Sequence, residues 1–334
     1  MSSRAESRRR VFVARKIDEA ALERLRAEAT VTVWKRETPP SEKELRAALV
    51  NADAVLSMLT EKIDATAIAH APRLRVISNL AVGVDNIDLE AATRAGIAVG
   101  HTPGVLTDAT ADLAFGLLMA TARRIAEGDR YVRAGRWRTW GPMTMLGRDI
   151  HGATLGIIGW GAIGQAMGRR AGGFGMRVLY MGHRARKRAG ERARIEPAAE
   201  RVTLPRLLAE SDFVSLHVPL TPGTRHMIGG REFALMKPGA ILINTARGAV
   251  VDQNAMVRAL RSGTLGGAGL DVTDPEPVAR HDALLKLRNV VITPHIGSAS
   301  VVTRARMAAM AVDNILEVFA GRRPRWCANP QVRL

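Results

Sequence analysis

Residues 154–164 read Thr-Leu-Gly-Ile-Ile-Gly-Trp-Gly-Ala-Ile-Gly, and this stretch decides the fold. A short apolar run leads directly into Gly159-x-Gly161-x-x-Gly164, which predicts a strand, a tight turn and a helix. In such a turn the first glycine permits the turn, the second lets a pyrophosphate approach the backbone and the third lets helix and strand pack closely. The helix N-terminus adds N–H groups and partial positive charge. We therefore predict a dinucleotide site formed by Gly159, Trp160, Gly161, Ala162, Ile163 and Gly164.

The composition predicts a soluble globular protein of about two domains, because 334 residues with 47% hydrophobic and 24% charged side chains can bury two cores. No apolar run approaches the roughly 20 residues that a membrane-spanning helix needs. The apolar run at 11–14 is too short for a signal peptide. The single cysteine, Cys327, excludes an intrachain disulfide. We expect a cytoplasmic protein without a membrane partner.

The net charge of +17 admits two interpretations. It could indicate affinity for nucleic acid or another anionic surface. Most of the 49 basic residues, however, are arginines scattered singly along the chain, which favours solvated side chains. We therefore expect no nucleic-acid partner. The same positive field would attract anionic substrates and phosphorylated cofactors.

Strand-like and helix-like segments alternate along the chain, which predicts an α/β fold with mostly parallel sheets. The Thr-Pro-Gly sequence at 102–104 marks a domain boundary. We expect a long helix from Thr107 to about Ala126, apolar all round and buried between domains. From residue 154 onward the pattern predicts six strands in a doubly wound unit. A last helix over about 300–320 is expected to return to the first domain.

The end of the second predicted strand of this unit bears on the choice of cofactor. A carboxylate there binds the ribose 2′-hydroxyl in NAD-binding proteins, but this chain has Gly182, His183 and Arg184. An arginine fork suits phosphate oxygens, so we predict a preference for NADP(H) with NAD(H) still open. The alternative is that 184–194 is only a solvated basic loop.

Three charged residues follow predicted strands further along the chain: Arg247, Glu276 and His295. Because ligands bind beyond the carboxyl ends of strands in open α/β sheets, we expect the three to converge. Reduction of a 2-oxo acid by hydride needs a proton donor for the developing alkoxide and a cation for the carboxylate. A histidine held by a glutamate has a fixed tautomer and a favoured protonated form, which suits it as the donor.

The motifs of this chain resemble those of the D-isomer-specific 2-hydroxyacid dehydrogenases, and most closely the glyoxylate/hydroxypyruvate reductase branch. Besides the glycine turn, the motifs are Val-Gly-Val-Asp-Asn-Ile-Asp at 82–88, Thr-Pro-Gly-Val-Leu-Thr-Asp-Ala-Thr-Ala-Asp at 102–112, Asn-Thr-Ala-Arg-Gly at 244–248, Gly-Leu-Asp-Val-Thr-Asp-Pro-Glu-Pro at 269–277 and Thr-Pro-His-Ile-Gly-Ser-Ala at 293–299. The resemblance implies a Rossmann cofactor domain (105–296) inserted in a flavodoxin-like substrate domain (1–104 plus 297–334). A glycine and a basic pair after the second strand are typical of the members that use NADP.

The resemblance also implies roles for individual residues. It implies that His295 is the general acid, Glu276 its partner and Arg247 the substrate clamp. The substrate would further contact Leu59, Val82, Gly83 and Trp140, the last from a neighbouring subunit of a homodimer. Around the cofactor the family pattern places Thr107, His217, Val218, Pro219, Thr224, Thr245, Ala246, Arg247, Asp271, His295 and Gly297.

The motifs leave two other functions open: a co-repressor-like module that senses NAD(P), and a dehydrogenase of another small anion such as formate or phosphite. The histidine and cysteine spacings match no metal site, so we expect no bound metal. The preferred partner is a small 2-oxo or 2-hydroxy acid, with side-chain size limited by Leu59 and Trp140.

Overall fold

The structure, a computed structural model, describes residues 8–182 and 198–333. The chain forms two compact units, each with most of its contacts within itself. Unit one is Met1–Leu106 with Ala299–Leu334, and unit two is Thr107–Ser298. The limits predicted from the sequence lie two residues from these. His183 and Arg184, predicted to select the cofactor, lie outside the described residues.

The strands of the described residues form two parallel sheets, one in each unit. In chain order the strands are β1 (Arg10–Val13), β2 (Thr30–Val33), β3 (Ala54–Ser57), β4 (Val76–Asn79), β5 (Ala98–Gly100), β6 (Thr154–Ile158), β7 (Arg177–Met181), β8 (Glu200–Arg201), β9 (Phe213–Leu216), β10 (Ala240–Asn244), β11 (Leu265–Leu270) and β12 (Val290–Ile292). The sheet of unit one has the order β2-β1-β3-β4-β5, which is flavodoxin-like. The sheet of unit two has the order β12-β11-β10-β9-β6-β7-β8, the Rossmann order with one more strand.

The prediction of six strands in unit two is wrong, because the described residues of this unit form seven. The additional strand, β8, pairs Glu200 and Arg201 with Leu179 and Tyr180 of β7. Both residues of β8 are exposed and charged, so no apolar pattern marks the strand in the sequence.

The helices cover the faces of the two sheets. In chain order they are α1 (Glu19–Glu28), α2 (Glu42–Leu49), α3 (Ala65–Ala69), α4 (Leu89–Arg94), α5 (Thr107–Ala122), α6 (Ile125–Arg133), α7 (Ala162–Gly172), α8 (Leu204–Glu210), α9 (Gly230–Leu235), α10 (Gln253–Ser262) and α11 (Val301–Phe319). Local signals fix several of these helix starts: Ser41 and Glu44 form the capping box of α2, and Asp18 caps α1. Helix α11 packs against α1, β3, β4 and β5, all in unit one.

The long helix predicted from Thr107 to about Ala126 is in fact two helices. Helix α5 ends at Ala122, and Arg124 adopts a left-handed conformation with φ of 54° before α6 begins. Helix α5 packs against α7, β10 and β11 within unit two. Gly128, two positions beyond the predicted end of the long helix, lies inside α6. Apolar content alone did not reveal the break, because the residues on both sides of it favour helix.

Candidate functional site

The glycine turn connects β6 to α7 as the sequence predicts. Gly159 has a φ of 103°, and a Cβ there would overlap the carbonyl oxygen of His217. At Gly164 a Cβ would overlap the Gly159 carbonyl, so the third glycine allows close packing of the helix start. Gly161 differs from both, since a Cβ there would meet no atom within 4 Å. The second glycine therefore faces open space, where a phosphate can approach the backbone.

Trp160, between the first two glycines, is buried and stacks on Tyr180 with 4.3 Å between ring centroids. Its side chain belongs to the core between β6 and β7, so any contact of Trp160 with a cofactor is through its backbone. A Cβ at Gly182 would come within 2.9 Å of the Trp160 backbone nitrogen. The absence of a side chain at Gly182 therefore lets the end of β7 lie against the glycine turn.

The loop after β9 begins with His217, whose Nε2 lies 2.9 Å from the Ser215 hydroxyl. Burial lowers the pKa of His217 to about 4, so the imidazole is neutral at physiological pH. Further along, the Thr224 hydroxyl donates to the Pro219 carbonyl oxygen at 2.6 Å. The predicted cofactor residues of this loop, with Val218 between them, thus form an ordered turn at the carboxyl end of β9.

The loop after β10 is shaped by Asn244, which is buried. Its side-chain oxygen accepts a hydrogen bond from the Ala246 N–H at 3.0 Å, and its Nδ2 donates to the Arg247 carbonyl oxygen at 2.9 Å. Among the described residues, the buried Thr245 Oγ1 has no hydrogen-bond partner. Buried hydroxyls are normally paired, so this atom points to a ligand group in the intact complex.

Glu276 and His295 lie within hydrogen-bond distance, as the sequence predicts: His295 Nδ1 is 2.6 Å from Glu276 Oε1. The carboxylate accepts a hydrogen bond from Nδ1–H, which leaves Nε2 as the nitrogen that can exchange a proton with a substrate. The carboxylate also accepts a hydrogen bond from the Thr273 N–H at 3.4 Å. Arg247 belongs to the neighbouring loop, and a Cβ at the following Gly248 would overlap the Thr273 carbonyl. The loops that carry Arg247 and Glu276 are therefore in contact.

His295 has a left-handed backbone with φ of 53°, uncommon for a residue other than glycine. The conformation is held by Asp271, which is only 2% exposed. One Asp271 oxygen accepts from the Thr293 hydroxyl at 2.6 Å and the Ile296 N–H at 2.8 Å, and the other accepts from the Gly297 N–H at 2.7 Å. Asp271 was predicted as a cofactor residue; in the structure its carboxylate holds the loop that presents His295.

In unit one, the predicted substrate residues Val82 and Gly83 lie in the loop after β4, and Leu59 follows β3. Asn79 donates to the Gly83 carbonyl oxygen at 3.0 Å and to the Asn86 side-chain oxygen at 3.1 Å. Asn86 in turn donates to the Met58 carbonyl oxygen at 3.0 Å. The two asparagines thus connect the loops after β3 and β4.

The sequence reasoning missed this supporting role of Asn79 and Asn86. Asn79 is the last residue of β4, whose other residues are buried. An amide side chain at the end of such a strand could have indicated this role, because a buried amide needs hydrogen-bond partners. His101, also missed, places Nδ1 2.9 Å from the Val82 carbonyl oxygen. Trp140 is 78% exposed in unit two, outside any core cluster of the described residues.

Comparison with known proteins gives the family. A sequence model of the NAD-binding domain of D-isomer specific 2-hydroxyacid dehydrogenases matches residues 115–297. A glyoxylate reductase of Korarchaeum cryptofilum is 51% identical over 97% of this chain and 96% of the relative. The chain belongs to the D-isomer-specific 2-hydroxyacid dehydrogenases. It is therefore an oxidoreductase with a nicotinamide cofactor, as the motifs predicted.

Solved structures of similar proteins agree with this fold. A protein of Thermus thermophilus has a TM-score of 0.88 and 48% identity, covering 96% of this chain and 99% of that one. An NADPH-dependent glyoxylate/hydroxypyruvate reductase of Sinorhizobium meliloti, in complex with NADP and malonate, has a TM-score of 0.83 and 32% identity over 98% and 99% of the two chains. The predicted fold class is thus confirmed.

The residues of unit two fit a nicotinamide dinucleotide of the kind this dehydrogenase family binds. Gly161 leaves room for a pyrophosphate, and the unpaired Thr245 hydroxyl offers a polar contact. In the described ranges, 8–182 and 198–333, no group of three or more His, Cys, Asp or Glu could hold a metal ion. No helix in those ranges is long and apolar enough to span a membrane.

Proposed function

We propose that this protein reduces glyoxylate and hydroxypyruvate to their 2-hydroxy acids with NADPH, with His295 as the general acid. The observation that carries the proposal is the Glu276–His295 pair at 2.6 Å. The pair lies in the same unit as the glycine turn and follows strands of the same sheet. Relatives named glyoxylate reductase, 47–51% identical to this chain, favour small 2-oxo acids as substrates.

The proton path follows from the hydrogen bond. When bound, the reduced nicotinamide supplies a hydride to the carbonyl carbon of the substrate. The carbonyl oxygen then takes the proton from Nε2 of protonated His295, and Glu276 stabilises the imidazolium through Nδ1. Solvent returns the proton to His295 before the next turnover. Glu276 exchanges no proton with the substrate; its carboxylate positions the imidazole through the hydrogen bond to Nδ1.

The substrate carboxylate needs cationic or N–H partners. We assign Arg247 as the clamp that binds the carboxylate and polarises the carbonyl. The backbone N–H groups of Val82 and Gly83 are assigned to the same carboxylate. The Asn79 and Asn86 hydrogen bonds support this assignment, because they hold the loop after β4 in one conformation.

For the cofactor, the glycine turn would hold the pyrophosphate and the loops after β9 and β10 would flank the nicotinamide half. The preference for NADPH rests on Gly182, which directly follows β7 where NAD-binding proteins have a carboxylate, and on His183 and Arg184 beyond it in the sequence. The Sinorhizobium meliloti relative named as NADPH-dependent supports this choice.

We also propose a cytoplasmic homodimer. Six large apolar side chains in and after α6 are more than half exposed, which a second copy would cover. They are Ile125, Val132, Trp137, Trp140, Met143 and Leu146. In such a dimer Trp140 would reach the substrate site of the neighbouring subunit. Light scattering at micromolar concentration tests the dimer: a mass near 72 kDa, twice the 36.1 kDa chain, is expected, and a monomer contradicts it.

The activity is tested by kcat/KM for glyoxylate, hydroxypyruvate, pyruvate and 2-oxo acids with larger side chains, each with NADPH and with NADH. We expect glyoxylate and hydroxypyruvate to have the highest kcat/KM of these acids. The kcat/KM with NADPH should exceed that with NADH at least about tenfold, since the 2′-phosphate gains charge-assisted bonds. A preference for NADH would refute the assignment of Arg184. Absence of turnover with every acid would refute the proposed activity.

A further inference from the structure

A cavity of about 410 Å³ lies in unit two, at the edge of the sheet remote from His295. Its floor contains Ile241 and Gly266, each the second residue of its strand, and Asn289, which directly precedes β12. The last turn of α5 forms one wall. Because the strands are parallel, their beginnings and the loops of the Glu276–His295 pair lie at opposite edges of the sheet. The cavity is therefore separate from the site described above.

The lining of this cavity is strongly cationic. It contains four arginines and one glutamate: Arg124, Arg130, Arg148, Arg288 and Glu127. Glu127 is paired with Arg124, because both its oxygens accept hydrogen bonds from that guanidinium group at 2.9 Å. This bond, helped by the charges of Arg288 and Arg130, holds the pKa of Glu127 below its usual range. The carboxylate of Glu127 cancels one of the four positive charges, so the lining has an excess of three positive charges.

Among the residues that the structure describes, two of these guanidinium groups, those of Arg130 and Arg288, form neither a side-chain hydrogen bond nor an ion pair. Like charges gathered around a concave surface create a local positive potential that attracts anions. Planar guanidinium forks bind phosphate and carboxylate oxygens in pairs, so an anionic ligand would satisfy both arginines.

Hydrogen bonds and close packing hold the segment at 146–148, which carries Arg148, against the end of α5. The Arg148 N–H donates to the Ala122 carbonyl oxygen at 2.8 Å, and its Nη2 donates to the Pro238 carbonyl oxygen at 3.2 Å. A Cβ at Gly147 would overlap that same Ala122 carbonyl, so the segment lies directly on the end of α5. Arg124 bonds the Leu146 carbonyl oxygen at 3.3 Å. The cavity is thus held open by contacts within the protein.

The cavity adjoins the apolar surface proposed for the dimer, because Leu146 belongs to both. Ile125 and Val132 are seven positions apart and share one face of α6, whereas Glu127 and Arg130 lie on the opposite face. A second copy seated on Ile125 and Val132 therefore leaves this face of α6 uncovered.

We propose that this cavity binds a small multivalent anion, one that carries two or more phosphate or carboxylate groups. Its volume accommodates a ligand larger than a single phosphate, and its charge excess matches two or three negative groups. The site is independent of the proposed oxidoreductase chemistry, because it shares no residue with the glycine turn or with the loops after β10 and β12.

The test is calorimetric titration of the full-length protein with inorganic pyrophosphate and, separately, with citrate, both in saturating NADPH. NADPH occupies the glycine turn, so pyrophosphate bound there does not contribute. We expect saturable binding with one site per chain. Arg130→Gln and Arg288→Gln should each weaken it at least about tenfold, since each removes a charge-assisted bond. Both side chains are exposed, so both variants should fold as the parent does.

The matched control is Arg258→Gln, which removes an exposed arginine of the same unit outside the cavity. It should bind pyrophosphate like the parent, which separates the site from general attraction to a protein of net charge +17. Tighter binding of pyrophosphate than citrate assigns the site to phosphate groups, and the reverse assigns it to carboxylates. No saturable binding of either anion at matched ionic strength would overturn the proposal, as would equal weakening in Arg258→Gln.

Discussion

Replacing Asp271 by asparagine tests the account of how the loop after β12 is held. The carboxylate accepts three hydrogen bonds from that loop at 2.6–2.8 Å and is nearly inaccessible to solvent. An amide in its place loses at least one acceptor, and its NH₂ faces an N–H of Ile296 or Gly297. A hydrogen bond to a charged group contributes about 1.5–3 kcal/mol, so we expect the free energy of unfolding to fall by about 2–3 kcal/mol.

For a unit of this size, 1 kcal/mol corresponds to roughly 2–4 °C, so thermal unfolding of Asp271→Asn should occur about 4–12 °C below the parent. Because the loop presents His295, kcat for glyoxylate should also fall. The control is Asp313→Asn, which removes an exposed ion pair with Arg24 and should shift Tm by only about 2 °C or less. A Tm of Asp271→Asn within about 1 °C of the control would refute the assigned role of this carboxylate.

Three further perturbations test other parts of the site. Gly161→Val fills open space, so it should leave Tm nearly unchanged while raising KM for NADPH about tenfold or more. Gly164→Val places a side chain against the Gly159 backbone, so it should lower the free energy of unfolding by about 1–3 kcal/mol. Equal effects of the two variants on Tm would contradict this distinction. Glu276→Gln replaces the carboxylate that holds His295 Nδ1, so kcat for glyoxylate should fall about tenfold or more while KM for NADPH stays close to that of the parent. An unchanged kcat would exclude that role. Burial lowers the pKa of His217 from 6.5 to about 4, so stability is full above pH 6.5 and should fall by up to about 3 kcal/mol toward pH 4. Chemical denaturation should show a shallower fall in His217→Gln, and the same slope as the parent would contradict the pKa assignment.

Much of the fold follows from local sequence signals. The glycine turn, the apolar strands and the capping residues are local, and the predicted parallel α/β arrangement is confirmed. The break between α5 and α6 depends on the left-handed Arg124, which the sequence does not mark. Strand β8 depends on pairing with β7, which gives two exposed charged residues an extended conformation.

In the candidate site, too, some residues could be predicted from the local sequence and others could not. Arg247, Glu276 and His295 could be singled out because each is a charged residue in the loop that follows an apolar strand. The supporting residues are harder to predict, since Asp271 and Asn86 act through partners more than 20 positions away in sequence. The position of the cationic cavity depends on the meeting of α5, α6 and the beginnings of three strands, which no single segment of the sequence indicates.

The most direct test of the central claim is the turnover of glyoxylate with NADPH by purified His295→Asn. General acid catalysis contributes about 10²–10⁴-fold, so kcat should fall by at least about a hundredfold. Binding of NADPH, followed by its fluorescence, should remain close to that of the parent and would show that the site is intact. A kcat within about threefold of the parent, with cofactor binding intact, would contradict the assignment of His295 as the proton donor.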